Sequence, residues 1–171
     1  MNHIVLETER LVLREYRLDD LDDAADMLGD PVHMQHYPHP FTREESLAWI
    51  ENNIRRYDEE GFGLWVVEPR GTGEFIGNVG LTIQVVDDVE EIEVGWHIIP
   101  SLWGYGYAPE AAAACRDYAF AELALPRLIS IVGPNNTQSR RVAEKIGMHI
   151  EKHTVYKGEH PSVIFAIEAP I

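Results

Sequence analysis

The stretch from residue 90 to residue 112, EEIEVGWHIIPSLWGYGYAPEAA, constrains the fold of this 171-residue chain more than any other. Ile92, Val94, Trp96 and Ile98 alternate with Glu91, Glu93, Gly95 and His97. A period of two puts the first set on one face of a sheet and leaves Glu93 and His97 together on the other. Pro100 stops the strand, and Gly104 and Gly106 then permit positive φ or a close approach of backbone to a ligand. Pro109 and Glu110 suit the first turn of a helix, where proline forfeits no hydrogen bond and an acid complements the dipole. Free amides over residues 104–109, at the positive end of that helix, make a seat for an anion such as pyrophosphate. The same two glycines would also serve a purely structural tight turn. Other nucleotide motifs fit poorly, since a third glycine for the dinucleotide fingerprint and a Gly-Lys-Ser/Thr ending are both missing.

The length and a hydrophobic content of 45% predict a single domain over residues 1–171 with one core. The one cysteine, Cys115, excludes an intrachain disulfide and reads as an inert helix residue. With no amino-terminal signal and no apolar run of membrane-spanning length, a reducing cytoplasm is the expected location. The formal net charge of −15, from 29 acids and 14 bases, argues against binding nucleic acid or an anionic membrane. It suits a cationic acceptor, and equally a surface adapted for solubility.

Residues 7–17 alternate as a strand. Asp19 and Asp20 cap a helix through Leu28 with Leu21, Ala24, Ala25 and Leu28 on its inner face, ended by Gly29-Asp30-Pro31. Val32 to Phe41 holds two prolines and reads as a loop. Its His33, His36 and His39 stand three apart, but without a nearby cysteine or paired carboxylate they do not make a metal site, and none is expected. Thr42 and Glu45 form a capping box for a helix through Asp58 carrying Leu47, Trp49, Ile50 and Ile54. Phe62–Glu68 and Glu74–Gln84 read as a hairpin, and the strand of the opening stretch follows the Asp87-Asp88 bend. Ala108–Glu122 is a helix, Arg127–Val132 a buried strand, and Asn136 caps a helix ended by Gly147. Strands near 149–156 and 162–168 close the chain. The order β, α, α, β, β, β, α, β, α, β, β specifies an α/β fold, a mixed central β-sheet with flanking helices.

Trp103-Gly104-Tyr105-Gly106-Tyr107-Ala108 followed by Pro109-Glu110-Ala111 resembles the acyl-CoA turn of the GNAT superfamily of N-acetyltransferases. Asn136-x-x-Ser139, followed by Val142 and Lys145-x-Gly147, is similar to that superfamily's next helix. The resemblance covers essentially the whole chain, and tryptophan at 103 is like the ribosomal-protein N-terminal (alanine/serine) acetyltransferase branch. It implies a GNAT-like acyl-CoA N-acyltransferase fold whose sheet splays to admit acetyl-CoA, with CoA as product. It further implies that the amides from Gly104 through Tyr105, Gly106, Tyr107 and Ala108 to Pro109 hold the pyrophosphate, and that the edge at Trp96, His97 and Ile98 pairs with the pantetheine arm. Asn136 reaches the same arm, Ser139 protonates the departing thiolate, and Tyr37 in the loop borders the acceptor. Relatives often carry a tyrosine where Ala143 stands, which moves the acid role to Ser139 or to water. Asn136 alone would serve equally as a helix cap. Arg140 and Arg141 suit the 3′-phosphate of CoA or simply a solvated helix.

Acetyl transfer to an amine needs a neutral amine, an anchored donor, oxyanion stabilisation and a proton for the thiolate. Glu93 is the first choice of base, acting through water; His97 is the other choice, and a salt-bridge role for Glu93 is the bland reading. An α-amine with pKa near ~8 is ~10% neutral at pH 7, whereas lysine near ~10.4 is neutral at only roughly 0.04%, a gap of about 3 kcal/mol. A water-linked Glu93 therefore suffices for a protein N-terminus. The partner expected is an amine-bearing acceptor, a protein N-terminus or a small molecule, served by a monomer or homodimer. The alternative is a non-catalytic acyl-CoA-binding or sensing module of the same fold.

Overall fold

In a computed structural model that describes residues 3–171, eight strands form one sheet in the order β1-β2-β3-β4-β5-β6-β8-β7. The strands are β1 Ile4–Glu7, β2 Leu11–Arg14, β3 Leu64–Pro69, β4 Gly77–Val86, β5 Val89–Ile98, β6 Arg127–Val132, β7 His149–Tyr156 and β8 His160–Glu168. The helices are α1 Leu21–Leu28, α2 Arg43–Glu59, α3 Tyr107–Ala121 and α4 Thr137–Lys145. The mixed α/β class holds. Every strand pair is antiparallel except β5 with β6, which run parallel through the α3 crossover and share a single register pair, Glu93↔Ile129.

The expected strand over residues 7–17 is instead a hairpin, β1 and β2, turned at Thr8–Arg10 without glycine or proline. Thr8 supplies the turn: its amide donates to the Leu11 carbonyl at 2.9 Å, and its hydroxyl accepts from the Leu11 amide at 3.0 Å. Beyond β2 the chain is pinned by a buried cation. Arg14 donates to both carboxylate oxygens of Asp20 (2.9 and 2.7 Å) and to Glu68 (2.7 Å). Asp20 is therefore occupied by Arg14 and by the Arg17 amide (2.7 Å), in a short 3-10 turn over Leu18–Asp20 that precedes α1. Ala24, Met27 and Leu28 are the fully buried residues of α1, with Leu21 partly buried against the same cluster; Met27 joins the expected set and Ala25 is only partly covered.

Helix α2 begins at the expected capping box, Thr42 and Glu45 each accepting from the other's amide at 3.2 Å. The sheet separates two apolar layers. On one side Leu11, Trp65, Val94 and Ile98 pack with Ala111, Cys115 and Ala143 of α3 and α4. On the other, Tyr16 and Val66 pack with Leu28 and Ile50 of α1 and α2. The small residues of α3 let it lie close to the sheet, so its N-terminus sits over the end of β5. Cys115 is fully buried, and burial pushes its thiol well above the usual range.

Candidate active site

The site begins where β5 and β6 part. Strand β5 pairs with β4 along its whole length, and the two-residue Asp87-Asp88 turn, with φ of 50° and 64°, closes that hairpin at Val86↔Val89. In such a hairpin the closing pair is hydrogen-bonded and every second residue turns its backbone to the partner. Glu91, Glu93, Gly95 and His97 therefore bond to β4, while Val94, Trp96 and Ile98 turn their N–H and C=O groups toward β6. Past Glu93 there is no strand to receive them, so each group needs another partner.

Side chains supply two of those partners and one for the facing edge of β6. Ser130 Oγ donates to the Val94 carbonyl at 2.7 Å. Glu93 accepts from the Ile131 amide at 2.8 Å, standing in for a ladder bond at the split. Trp103 Nε1 donates to the Ile98 carbonyl at 2.7 Å, which ties the glycine turn to the strand end. The backbone groups of Trp96 and the N–H of Ile98 are left facing the gap, the edge on which an extended amide-bearing arm can pair as an added strand.

The turn leaves backbone amides free with open space in front of them. Gly104 and Gly106 have φ of 86° and 80°, the left-handed conformation anticipated for both. A side chain at Gly104 would meet nothing within 4 Å, so open space lies there. Gly106 is the N-cap of α3 and, lacking a side chain, satisfies none of the helix's first amides. The amides of Tyr107 and Ala108 stand free at the positive end of a 15-residue helix; Pro109 has none. Tyr105 departs from expectation: its side chain is 61% exposed and lies outside the cleft, stacked on Tyr107. Its carbonyl accepts from Arg10 Nη1 at 2.9 Å. Arg10, not anticipated as a site residue, also binds both carboxylate oxygens of Glu110 through its Nε (2.7 Å) and its amide (3.1 Å), and lies 4.6 Å from the Tyr107 ring centre. Glu110 is thus a brace between the first hairpin and α3 as well as a dipole partner.

Across the gap stands α4. Asn136 is its N-cap, accepting from the Ser139 amide at 3.2 Å, so the cap role is filled, and the residue also lines the cleft. Ser139 Oγ accepts from Trp96 Nε1 at 3.3 Å, a strut between the two arms of the opening. Ala143 is fully buried in the main core, and no hydroxyl comes from that position. Arg141 and Lys145 line the cleft, whereas Arg140 turns to the Pro134 carbonyl at 3.1 Å.

The polar face of β5 carries two groups that can take a proton. Glu93 does not line the cleft; it lies beside Gln84, whose Nε2 donates to it at 3.4 Å, and Gln84 in turn accepts from the Tyr156 hydroxyl. Burial pushes the Glu93 carboxyl up to about 7, against the Ile131 and Gln84 hydrogen bonds and the charge of Lys157. A carboxylate poised near neutrality suits a general base. His97 lines the cleft, and burial, then the neighbouring His33, pull its imidazole down to about 3, so it is neutral at physiological pH. Tyr37 comes over from the loop, its hydroxyl 3.3 Å from His97 Nε2, with burial and the Glu93 charge both raising its pKa. Trp49 of α2 meets His97 in a T-shaped arrangement with ring centres 5.4 Å apart.

These groups bound an open cleft of about 280 Å³ that runs from Tyr37 and His97, past Trp96, Ile98 and Ser139, to Gly104–Pro109. The open space at Gly104, the uncapped helix start and the outward-turned strand edge fit a pyrophosphate joined to an amide-bearing arm. Gln35, Leu102 and Gln138 also line it, unmarked by any spacing because loop and helix meet there only in three dimensions, and so does His36, which the sequence set apart only by its distance from the other loop histidines. The other loop histidine, His39, pairs with Glu45 at 2.9 Å, away from His33 and His36.

The signature of the acetyltransferase (GNAT) domain matches residues 10–149. YkkB of Bacillus subtilis is 36% identical over 163 residues, covering 94% of this chain and 93% of its own. YnaD of the same organism, named an N-acetyltransferase, is 31% identical and covers 85% and 83%. An acetyltransferase from Agrobacterium tumefaciens superposes with a TM-score of 0.84 at 30% identity over 95% of this chain and 93% of that one. The ribosomal L7/L12 α-N-protein acetyltransferase RimL, solved with coenzyme A, shares the fold with a TM-score of 0.79 at 15% identity, covering 98% of each chain. With the cleft laid out as an anion seat, a free strand edge and a hydroxyl between them, these likenesses make the chain a member of the GNAT acetyltransferase family.

Proposed function

We propose that the protein acetylates a primary amine, a protein N-terminal α-amine or a small-molecule amine, by direct attack within a ternary complex. The observation that carries the reading is the free edge of β5 at Trp96 and Ile98, held between the uncapped start of α3 and the hydroxyl of Ser139. Acetyl-CoA supplies the acetyl group as a thioester, whose carbonyl carbon gains the N–C bond as the C–S bond breaks. The amides from Gly104 to Ala108 hold its pyrophosphate, the strand edge aligns its pantetheine with help from Asn136, and the Ile98 N–H faces the oxygen that gains charge. An ammonium acceptor gives up two protons. Glu93 takes one through water before attack; the other reaches the departing thiolate by way of Ser139, which leaves an amide and the free thiol of CoA.

The neutral His97 and the absence of a carboxylate among the described residues lining the cleft favour an amine that is readily neutral at pH 7 over lysine or a polyamine. Structural neighbours titled as ribosomal-protein acetyltransferases support the N-terminal branch of this reading. One domain, working in the cytoplasm as a monomer or homodimer, carries out the whole reaction. Among the described residues, no helix is long and apolar enough to cross a membrane.

The test is thiol release from acetyl-CoA across a panel of N-terminal peptides and small amines. Turnover with at least one acceptor is the expected result; no turnover with any of them and no CoA binding would overturn the proposal. Buried Ala143, standing where relatives often have tyrosine, favours a second reading as a non-catalytic acyl-CoA-binding module. Ser139→Ala and Glu93→Gln separate the two, because neither change alters a transfer rate that does not exist.

A further inference from the structure

We infer that His33 and His97 act as a tautomer relay that turns the Tyr37 hydroxyl proton inward, so that the Tyr37 oxygen accepts a hydrogen bond from the acceptor amine in the cleft. The inference rests on the amine-acceptor reading above and adds to it the group that holds the amine.

Three rings from two distant parts of the chain meet here. His97 Nε2 lies 3.3 Å from the Tyr37 hydroxyl, and His97 Nδ1 lies 3.4 Å from His33 Nε2. His97 is fixed from the side by the edge of Trp49 and from the neighbouring strand by its register partner Asn78. His33 is buried, whereas Tyr37 is 39% exposed at the mouth of the cleft. Burial keeps both imidazoles uncharged, so each carries one N–H and one acceptor nitrogen.

A chain of one hydroxyl and two neutral imidazoles has only two consistent directions. In the first, Tyr37 donates to His97 Nε2, His97 Nδ1–H donates to His33 Nε2, and His33 carries its proton on Nδ1. In the second every donor and acceptor is reversed. The far nitrogen, His33 Nδ1, is buried with no hydrogen-bond partner among the described residues, so it is equally unpaired in either direction and the choice falls to the Tyr37 end. A phenolic O–H is more acidic than a neutral imidazole N–H and so the better donor, which selects the first direction.

The consequence falls on Tyr37. With its one proton committed to His97, its oxygen offers only lone pairs to the cleft, and an incoming amine meets an acceptor rather than a competing donor. His33 and His97 are positioning residues in this arrangement; Tyr37 is the one that touches the substrate.

Nitrogen-15 long-range correlation spectra of the full-length protein at pH 7, without ligand, read the tautomers directly. His33→Gln and His97→Gln spectra assign the peaks. The expected result is His97 protonated at Nδ1 and bare at Nε2; protonation at Nε2, or an imidazolium, overturns the relay. Where turnover is found, Tyr37→Phe should raise the acceptor KM about tenfold and leave the acetyl-CoA KM unchanged. His97→Leu should match it, and His97→Gln, whose amide oxygen can still accept from Tyr37, should recover part of the loss. An unchanged acceptor KM in Tyr37→Phe with turnover intact sinks the relay and spares the transferase reading. If no acceptor turns over, the transferase reading fails, and the tautomer spectrum still decides the relay.

Discussion

The two ends of the cleft are built from different parts of the chain. The glycine-turn end is lined by backbone: positive φ at Gly104 and Gly106, uncapped amides at the start of α3, and the outward-turned edge of Trp96 and Ile98. At the end proposed for the acceptor it is lined by side chains of the loop and of β5, among them His33, Tyr37 and His97. A backbone site is written in consecutive residues, whereas a side-chain site is assembled by folding. The first should tolerate changes that keep the main chain, and the second should not.

The largest test of that contrast is Glu93→Gln, which keeps the Ile131 hydrogen bond yet removes the proposed base. Acetyl transfer should fall by roughly 10²–10⁴-fold with CoA affinity unchanged. In the parent protein kcat/KM should drop as pH falls through about 7, the value to which Glu93 is pushed, and the variant should lose that limb. Stability moves the opposite way. A carboxyl whose folded pKa is raised from 4.5 to about 7 favours the folded state most below 4.5, and that advantage is lost as pH rises through 7. Glu93→Gln should therefore gain Tm relative to the parent at pH 8 and not at pH 4, as differential scanning calorimetry would record.

Gly104→Val attacks the backbone end. Its φ of 86° makes any side chain strained by about 1–2 kcal/mol. The added atoms meet no protein group, so the fold should survive while titration calorimetry shows CoA binding weakened at least tenfold. Arg10→Ala removes the brace without touching the ligand. Loss of its bonds to Glu110 and Tyr105 should cost about 1 kcal/mol of stability in denaturant unfolding, with CoA affinity reduced only a few-fold. The smallest change is expected from Arg141→Ala: about two- to fivefold weaker binding of CoA, and none for CoA lacking its 3′-phosphate, if its charge meets that group.

The same contrast explains what the sequence made legible. Strand β5, the turn and α3 were readable because alternation, two glycines and Pro109 all act within a few residues of one another. The helix start at Thr42 was readable for the same reason. The first hairpin was not: Thr8 makes its turn with a hydroxyl rather than a glycine, so Glu7 to Arg17 looked like one strand. Met27 was missed on α1 because its burial depends on where α2 packs. Arg10 gave no local sign, its partner Glu110 lying 100 residues away. The juxtaposition of His33 with His97, 64 residues apart, needed the loop to fold back over β5. Asp20 was read as a cap from its place before α1, whereas the buried guanidinium of Arg14 claims both its oxygens.

The bond from Trp103 to the Ile98 carbonyl has a further consequence. Only five residues separate its ends, so the seat proposed for the phosphate and the strand edge proposed for the pantetheine are tied to each other locally. A carrier whose arm is too short or too long cannot be accommodated by letting one end slide. On the proposed reading the span between turn and strand edge would gauge a carrier's length, and it would do so from within a few residues of chain.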